Sequence, residues 1–262
     1  MKIKPLRYCV KYDSLIIYPE PERVKGDIRR FKSANYTSGN VTHNMMRVAD
    51  VFMQVITARG NPKRRFLPCS FLTLTIPRTI PVPVTEANSC LNEYLKHLRR
   101  LGLKNYIWKL ELQERGQIHY HLLLDTYTDY NKLLWAWNSK MRNRGWLTEW
   151  VKKRKNYNPP SVWVKGVKSG KMLQNYLLKY VCKTTDKKVK GRIWDATKKL
   201  KQTKLFGDEL DSEQEDKLLY FIRKKKVKVV NTEFLSILPS NRPVGLLTIS
   251  NQFSYNQFIS KF

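Results

Sequence analysis

Apolar residues recur along this chain with two distinct spacings, and each spacing predicts an element. From Thr42 to Ala58, the residues Met45, Met46, Val48, Val51, Phe52, Val55 and Ile56 return at three- and four-residue steps, the period of an amphipathic helix. Thr42 can cap its start, and Gly60 with Pro62 stops it. Phe71-Leu72-Thr73-Leu74-Thr75-Ile76 alternates instead, which predicts a strand ended by Pro77, with its threonines on one face. Thr85 to Leu101 is helical again, with Thr85 as cap, a stripe of Leu91, Tyr94, Leu95, Leu98 and Leu101, and Gly102 as terminator. Tyr106–Gln113 and Ile118–Asp125 read as strands. The turn Glu114-Arg115-Gly116-Gln117 joins them into an antiparallel hairpin.

The pattern continues with a helix over about 129–143 burying Leu133, Leu134, Trp137 and Met141, then a strand over 161–167. A helix over 170–183 carries Met172, Leu173, Leu177 and Val181 as its apolar positions, and Gly191-Arg192-Ile193-Trp194 begins a short strand. Outside these, Leu15–Tyr18 is a short strand ended by Pro19 and Pro21, and 25–40 and 62–65 are basic loops. Residues 206–216 form an acidic loop, and 218–230 are basic and apolar by turns. Hairpin-linked strands interleaved with helices define an α+β fold, a central antiparallel sheet with helices packed against it. The expected division is an N-terminal extension with a helix (1–60), the sheet domain (61–200) and a basic C-terminal extension (201–262).

Charge narrows the partners. Lys+Arg 50 against Asp+Glu 21 gives +29, spread along the whole chain. A field of that sign favours a polyanion, with nucleic acid first and an anionic membrane surface second. With 42% hydrophobic residues the chain can build a core, so it is not a disordered basic tail. No apolar run reaches the roughly 18 residues of a spanning helix, and no apolar signal core follows Met1-Lys2-Ile3-Lys4-Pro5-Leu6-Arg7. Cys9, Cys69, Cys90 and Cys182 lie far apart with no C-x-x-C pair, which suits a reducing, intracellular setting.

The candidate chemistry sits on the hairpin. His119 and His121 are two apart on a strand, so they share a face that Tyr120 leaves. Glu111 lies eight residues earlier on the partner strand, roughly 5 Å across. Two imidazoles and a carboxylate with open positions suit Mg²⁺ or Mn²⁺ bound to a phosphate ester. Downstream, Tyr176 and Tyr180 share a helix face, each with a lysine three residues on, Lys179 and Lys183. A phenol is a poor nucleophile until a cation or base assists it. Taken singly, each feature also fits a plain account: partly exposed strand histidines, an edge carboxylate beside a lysine, half-buried helix tyrosines. His43 and His97 read as surface residues.

Together these motifs resemble the HUH endonuclease superfamily, the rolling-circle replication initiators of small phages, plasmids and single-stranded DNA viruses. Phe71–Thr75 resembles its first motif strand, and His119-Tyr120-His121 its His-hydrophobic-His motif. Glu111 stands where the family often has a third ligand. Tyr176-x-x-Lys179-Tyr180-x-x-Lys183 resembles the nucleophile motif of the two-tyrosine, phage gene A type. The resemblance implies an RRM-like sheet and a metal-dependent nickase and strand transferase acting on single-stranded DNA at a replication origin. It implies Mg²⁺ or Mn²⁺ on Glu111, His119 and His121, and a 5′-phosphotyrosine formed by Tyr176 or Tyr180, with Lys179 and Lys183 as charge or proton partners. Thr73, Thr75 and Arg115 are the DNA contacts expected near the site. No G-x-x-x-x-G-K-[ST] motif occurs, so a host helicase, with a host polymerase, is the expected partner. Two other readings stay open: a transposase of the same superfamily, and a non-catalytic nucleic-acid-binding domain.

Overall fold

The computed structural model describes residues 6–10, 14–19, 39–59, 67–77, 81–113, 116–176, 189–203, 213, 216, 220, 230–231 and 236–239. In chain order these form strands β1 (Leu6–Val10) and β2 (Ser14–Pro19), helix α1 (Gly39–Ala58), strand β3 (Ser70–Thr75) and helix α2 (Val84–Arg100). The hairpin β4 (Tyr106–Leu112) and β5 (Ile118–Leu124) follows, then helices α3 (Tyr130–Arg142) and α4 (Thr148–Arg154), strand β6 (Val162–Gly166) and helix α5 (Gly170–Tyr176). Strand β7 (Trp194–Ala196), helix α6 (Lys198–Gln202) and strands β8 (Val230–Asn231) and β9 (Ser236–Pro239) complete the set.

The chain divides into two compact units. The first takes Met1–Phe31, Asp50–Ala58 and Thr203–Phe262, and holds a four-stranded antiparallel sheet in the order β1-β2-β9-β8. Within it Val51, Phe52, Val55 and Ile56 of α1 are fully buried, as their spacing predicts. Helix α1 begins at Gly39, so Thr42 lies inside it rather than capping it, and Met46 is exposed.

The second unit, Lys32–Ala49 with Arg59–Gln202, is the α+β domain. Its five-stranded antiparallel sheet runs β6-β3-β5-β4-β7, consistent with an RRM-like arrangement. Alternation along each strand sorts the side chains to two faces. Leu72, Leu74, Trp108, Leu110, Tyr120 and Leu122 go to one face and form a core with Leu91, Tyr94 and Leu98 of α2 and Leu133, Trp137 and Met141 of α3. Tyr94 meets Trp137 edge-on at 5.4 Å, and the Trp137 indole N–H donates to the Thr75 carbonyl at 3.2 Å. Each fully buried side chain of this size contributes roughly 2–3 kcal/mol. That face therefore carries much of the unit's stability, and the opposite face is available for chemistry.

Helix ends show where local signals were overridden. Pro83, not Thr85, is the N-cap of α2; its carbonyl accepts from the Glu86 and Ala87 N–H groups at 3.0 and 2.9 Å. Proline's fixed φ suits that entry, which sets Thr85 in the first turn. Leu101 is exposed although it continues the α2 stripe, because the chain leaves the helix there and Gly102 turns it at φ +100°. Asp129 caps α3, accepting from the Asn131 and Lys132 N–H groups at 3.0 and 3.2 Å. Leu134 is only half-buried. Among the described residues no helix is long and apolar enough to cross a membrane.

Two expected results follow from the packing. Asp125, directly after β5, accepts from Lys104 N–H (3.0 Å), Asn105 Nδ2 (2.8 Å) and Arg59 Nη1 (3.1 Å), with its side chain 1% exposed. Asp125→Ala leaves these donors without their acceptor and is expected to cost on the order of 3 kcal/mol in urea unfolding. A loss below about 1 kcal/mol would mean that water replaces the carboxylate freely. Cys69 and Cys90 are buried, and burial pushes both thiols up to about 12. They are expected to resist iodoacetamide at pH 8 until denaturant is added, as peptide mapping would show.

Candidate active site

The hairpin places the histidines. Gly116 turns the chain at φ +78°, and the Gly116 N–H donates to the Gln113 carbonyl at 2.8 Å. That turn sets Glu111 directly across from His119 and Lys109 across from His121. On the other side, Thr73 pairs with His121 and Thr75 with His119. Directly opposed residues share a face. Glu111, His119, His121, Thr73 and Thr75 therefore stand together on the face turned away from the α2–α3 core, at its polar end. Toward the other end, Phe71, Ile107 and Leu123 are buried.

Glu111 Oε2 lies 2.7 Å from His121 Nε2. A carboxylate only accepts, so His121 donates from Nε2, and its Nδ1 can then accept from the Thr73 hydroxyl at 3.2 Å. At His119 the Gln113 amide nitrogen is 3.1 Å from Nδ1, and the Thr75 hydroxyl is 3.5 Å from Nε2, the outer limit of a hydrogen bond. The two imidazole centroids are 6.4 Å apart. Burial lowers the His119 pKa, His121 lowers it further, and Glu111 works against both. His119 is thus held neutral at pH 7, the form with a free ring lone pair.

Among the described residues no group of three His, Cys, Asp or Glu side chains converges as a metal cluster. The chemistry of the donor set nonetheless fits a hard divalent ion: one carboxylate, two imidazoles, and partners that adapt. The Thr73 hydroxyl accepts as readily as it donates, and the Gln113 amide offers an oxygen as well as a nitrogen. Either ring can therefore be held with Nδ1 protonated and Nε2 presented as a ligand, the usual role of groups behind a metal-bound histidine.

Helix α5 brings in the tyrosine. Ser169 starts it: the Ser169 carbonyl accepts from Leu173 N–H at 3.0 Å and its hydroxyl from Met172 N–H at 3.2 Å. Leu173 is fully buried and anchors the helix. Tyr176, at the last described position of α5, lies flat on Phe71, with ring centroids 4.5 Å apart and planes within 5°. Phe71 in turn stacks with His121 at 5.9 Å and 12°. Three rings thus run from the helix to the histidine pair, and Lys165 Nζ stands 5.9 Å from the Tyr176 ring centroid.

Of the residues expected from sequence, Glu111, His119, His121, Thr73, Thr75 and Tyr176 occupy one face. Arg115, Lys179, Tyr180 and Lys183 lie outside the described residues. Four neighbours were not anticipated as site residues: Phe71, Gln113, Lys109 (buried, opposite His121) and Lys165. Their signal was parity. Residues 109, 111 and 113 share a strand phase, as do 71, 73 and 75.

Residues 69–188 match the family model for the replication-associated protein ORF2. The match supports a replication-initiator family for this region, which is less than half of the chain. It begins at the strand that carries Phe71, Thr73 and Thr75 and ends beyond the Tyr-x-x-Lys repeats, so it contains every candidate residue above. No curated protein and no solved structure matches the chain.

Proposed function

We propose that this protein starts DNA replication by cutting single-stranded DNA at an origin and holding the cut end on a tyrosine. The observation that carries the reading is the ring stack from Tyr176 through Phe71 to His121, which joins a nucleophile-bearing helix to the Glu111–His119–His121 face. Glu111, His119 and His121 would hold Mg²⁺ or Mn²⁺, which when bound polarises the scissile phosphate.

The chain's own residues do the rest. Thr73 and Gln113 fix the imidazole rings. Phe71 holds the Tyr176 ring flat, so that the phenol has little freedom except along its own plane. Lys165 adds positive charge beside that ring and favours both an approaching phosphate and a phenolate. The phenolic oxygen attacks phosphorus, the bond to the 3′ oxygen breaks, and the 3′ oxygen leaves with a proton as a hydroxyl that can prime synthesis. The 5′ phosphate stays on the tyrosine as a diester. Attack by a 3′-hydroxyl reverses the step and rejoins the strand without a nucleotide cofactor. Tyr180 supplies a second nucleophile in this scheme, with Lys179 and Lys183 as proton or charge partners. Unwinding falls to a host helicase and synthesis to a host polymerase.

The test is incubation of the full chain with origin single strand and Mn²⁺, followed by denaturing electrophoresis. The expected result is a covalent protein–DNA band that EDTA abolishes. A non-catalytic binding domain gives no band with or without metal.

A further inference from the structure

On the same sheet face, strand β6 carries a pair of residues whose placement points beyond the cutting step. Trp163 is directly opposite Thr73, and Lys165 directly opposite Phe71. One row therefore runs Trp163, Thr73, His121 across neighbouring strands. Two strand spacings, roughly 10 Å, separate Trp163 from His121. Strand β6 is at the edge of its sheet, and its neighbours Val162 and Val164 turn toward the α2–α3 core. Trp163 turns the other way and is 49% exposed. It meets Phe71 only edge-on, at 5.9 Å and 75°, so an indole face stays accessible. Lys165, two residues on and on the same face, is exposed as well.

An accessible indole face and a lysine side by side match the two halves of one nucleotide, a flat base and an anionic phosphate. Base–aromatic stacking is sequence-tolerant and worth a measurable share of single-strand affinity. A protein surface has little other reason to leave half a tryptophan in water beside a catalytic row, because that area would otherwise be buried. We propose that Trp163 and Lys165 form a subsite that grips one nucleotide flanking the scissile phosphate, with Trp163 stacking its base and Lys165 pairing with its phosphate. The inference rests on the nuclease reading for the word "flanking"; the grip itself needs only single-stranded nucleic acid. Lys165 thereby links two tasks, since the same ammonium stands beside the Tyr176 ring.

The experiment measures fluorescence anisotropy of a labelled 20-mer of thymidylate with the full chain in EDTA, where cutting is blocked. Trp163→Ala is expected to weaken binding by roughly 5- to 150-fold, the range given by one lost stack. Trp163→Phe is expected to recover most of that, because a smaller π-face remains. Lys165→Gln is expected to reduce the slope of log affinity against log salt by about 0.7, one phosphate contact on a single strand. A second measurement does not depend on how well the variants fold: the wild type is expected to bind a 20-mer with its bases removed more weakly than the intact oligomer. Binding by Trp163→Ala within about twofold of wild type overturns the subsite, as does equal wild-type affinity for the two oligomers. Failure of the nuclease reading looks different. There, Trp163-dependent binding persists but no covalent band forms with Mn²⁺, which upholds the grip and removes the catalytic centre beside it.

Discussion

Glu111→Gln is expected to lower strand cleavage by on the order of 10²–10³-fold while leaving the melting temperature and thymidylate binding almost unchanged. The substitution is nearly isosteric. The Gln oxygen can still accept from His121 Nε2–H, the contact that measures 2.7 Å in the native chain, so the hairpin keeps its register. What disappears is the negative charge that a divalent ion needs beside two neutral imidazoles. His119→Ala is expected to fall in the same range. The supporting residues are expected to matter less: Gln113→Ala or Thr73→Val should cost about 10- to 100-fold, the usual effect of removing a group behind a metal ligand. Raising Mn²⁺ should rescue these two partly, because they orient ligands and do not supply them. If Glu111→Gln cuts as fast as wild type, the Glu–His pair is a structural hydrogen bond and nothing more.

Tyr176→Phe is the second large effect. The phenyl ring keeps the stack on Phe71, 4.5 Å between centroids, so α5 has no reason to move. Only the hydroxyl is lost, and with it the nucleophile. First-strand cleavage is expected to fall by on the order of 10³-fold or more, as removal of a covalent nucleophile generally does. Residual cutting should then depend on Tyr180, and the Tyr176→Phe/Tyr180→Phe protein should form no covalent product. Cleavage at the native rate in Tyr176→Phe would make Tyr176 a packing residue on Phe71 and move the chemistry elsewhere on the helix.

Much of this site could be read from residue spacing because strands impose a period of two. Two histidines two apart, threonines two apart and a carboxylate eight residues back across a tight turn are constraints that backbone geometry converts directly into one face. Glu111 pairs with His119, and Thr73 with His121, as that counting requires. The same arithmetic reached Lys109 and Gln113 as well, but neither residue type had been singled out for the chemistry. Phe71 was hidden for another reason. In sequence it is one more apolar residue of a strand, and only the fold shows it as the ring between Tyr176 and His121.

Other elements left weaker local traces. The sheet of β1, β2, β9 and β8 joins segments more than 200 residues apart in sequence, Ser14 with Pro239. Only β2 has a run of β-branched and apolar residues long enough to stand out. Helix α4 is short and mostly basic, Thr148–Arg154, so no apolar stripe announces it. Leu101 and Thr85 misled because periodicity does not know where a helix ends; Gly102 and Pro83 decided those boundaries.

The most direct test is to trap the protein on origin single strand with Mn²⁺, digest it, and identify by mass spectrometry the residue that carries the nucleotide. The account predicts a phosphodiester on Tyr176, with any second attachment on Tyr180, and neither in EDTA or in Glu111→Gln. Attachment to a tyrosine outside this helix, or the same yield of adduct without metal, would contradict it.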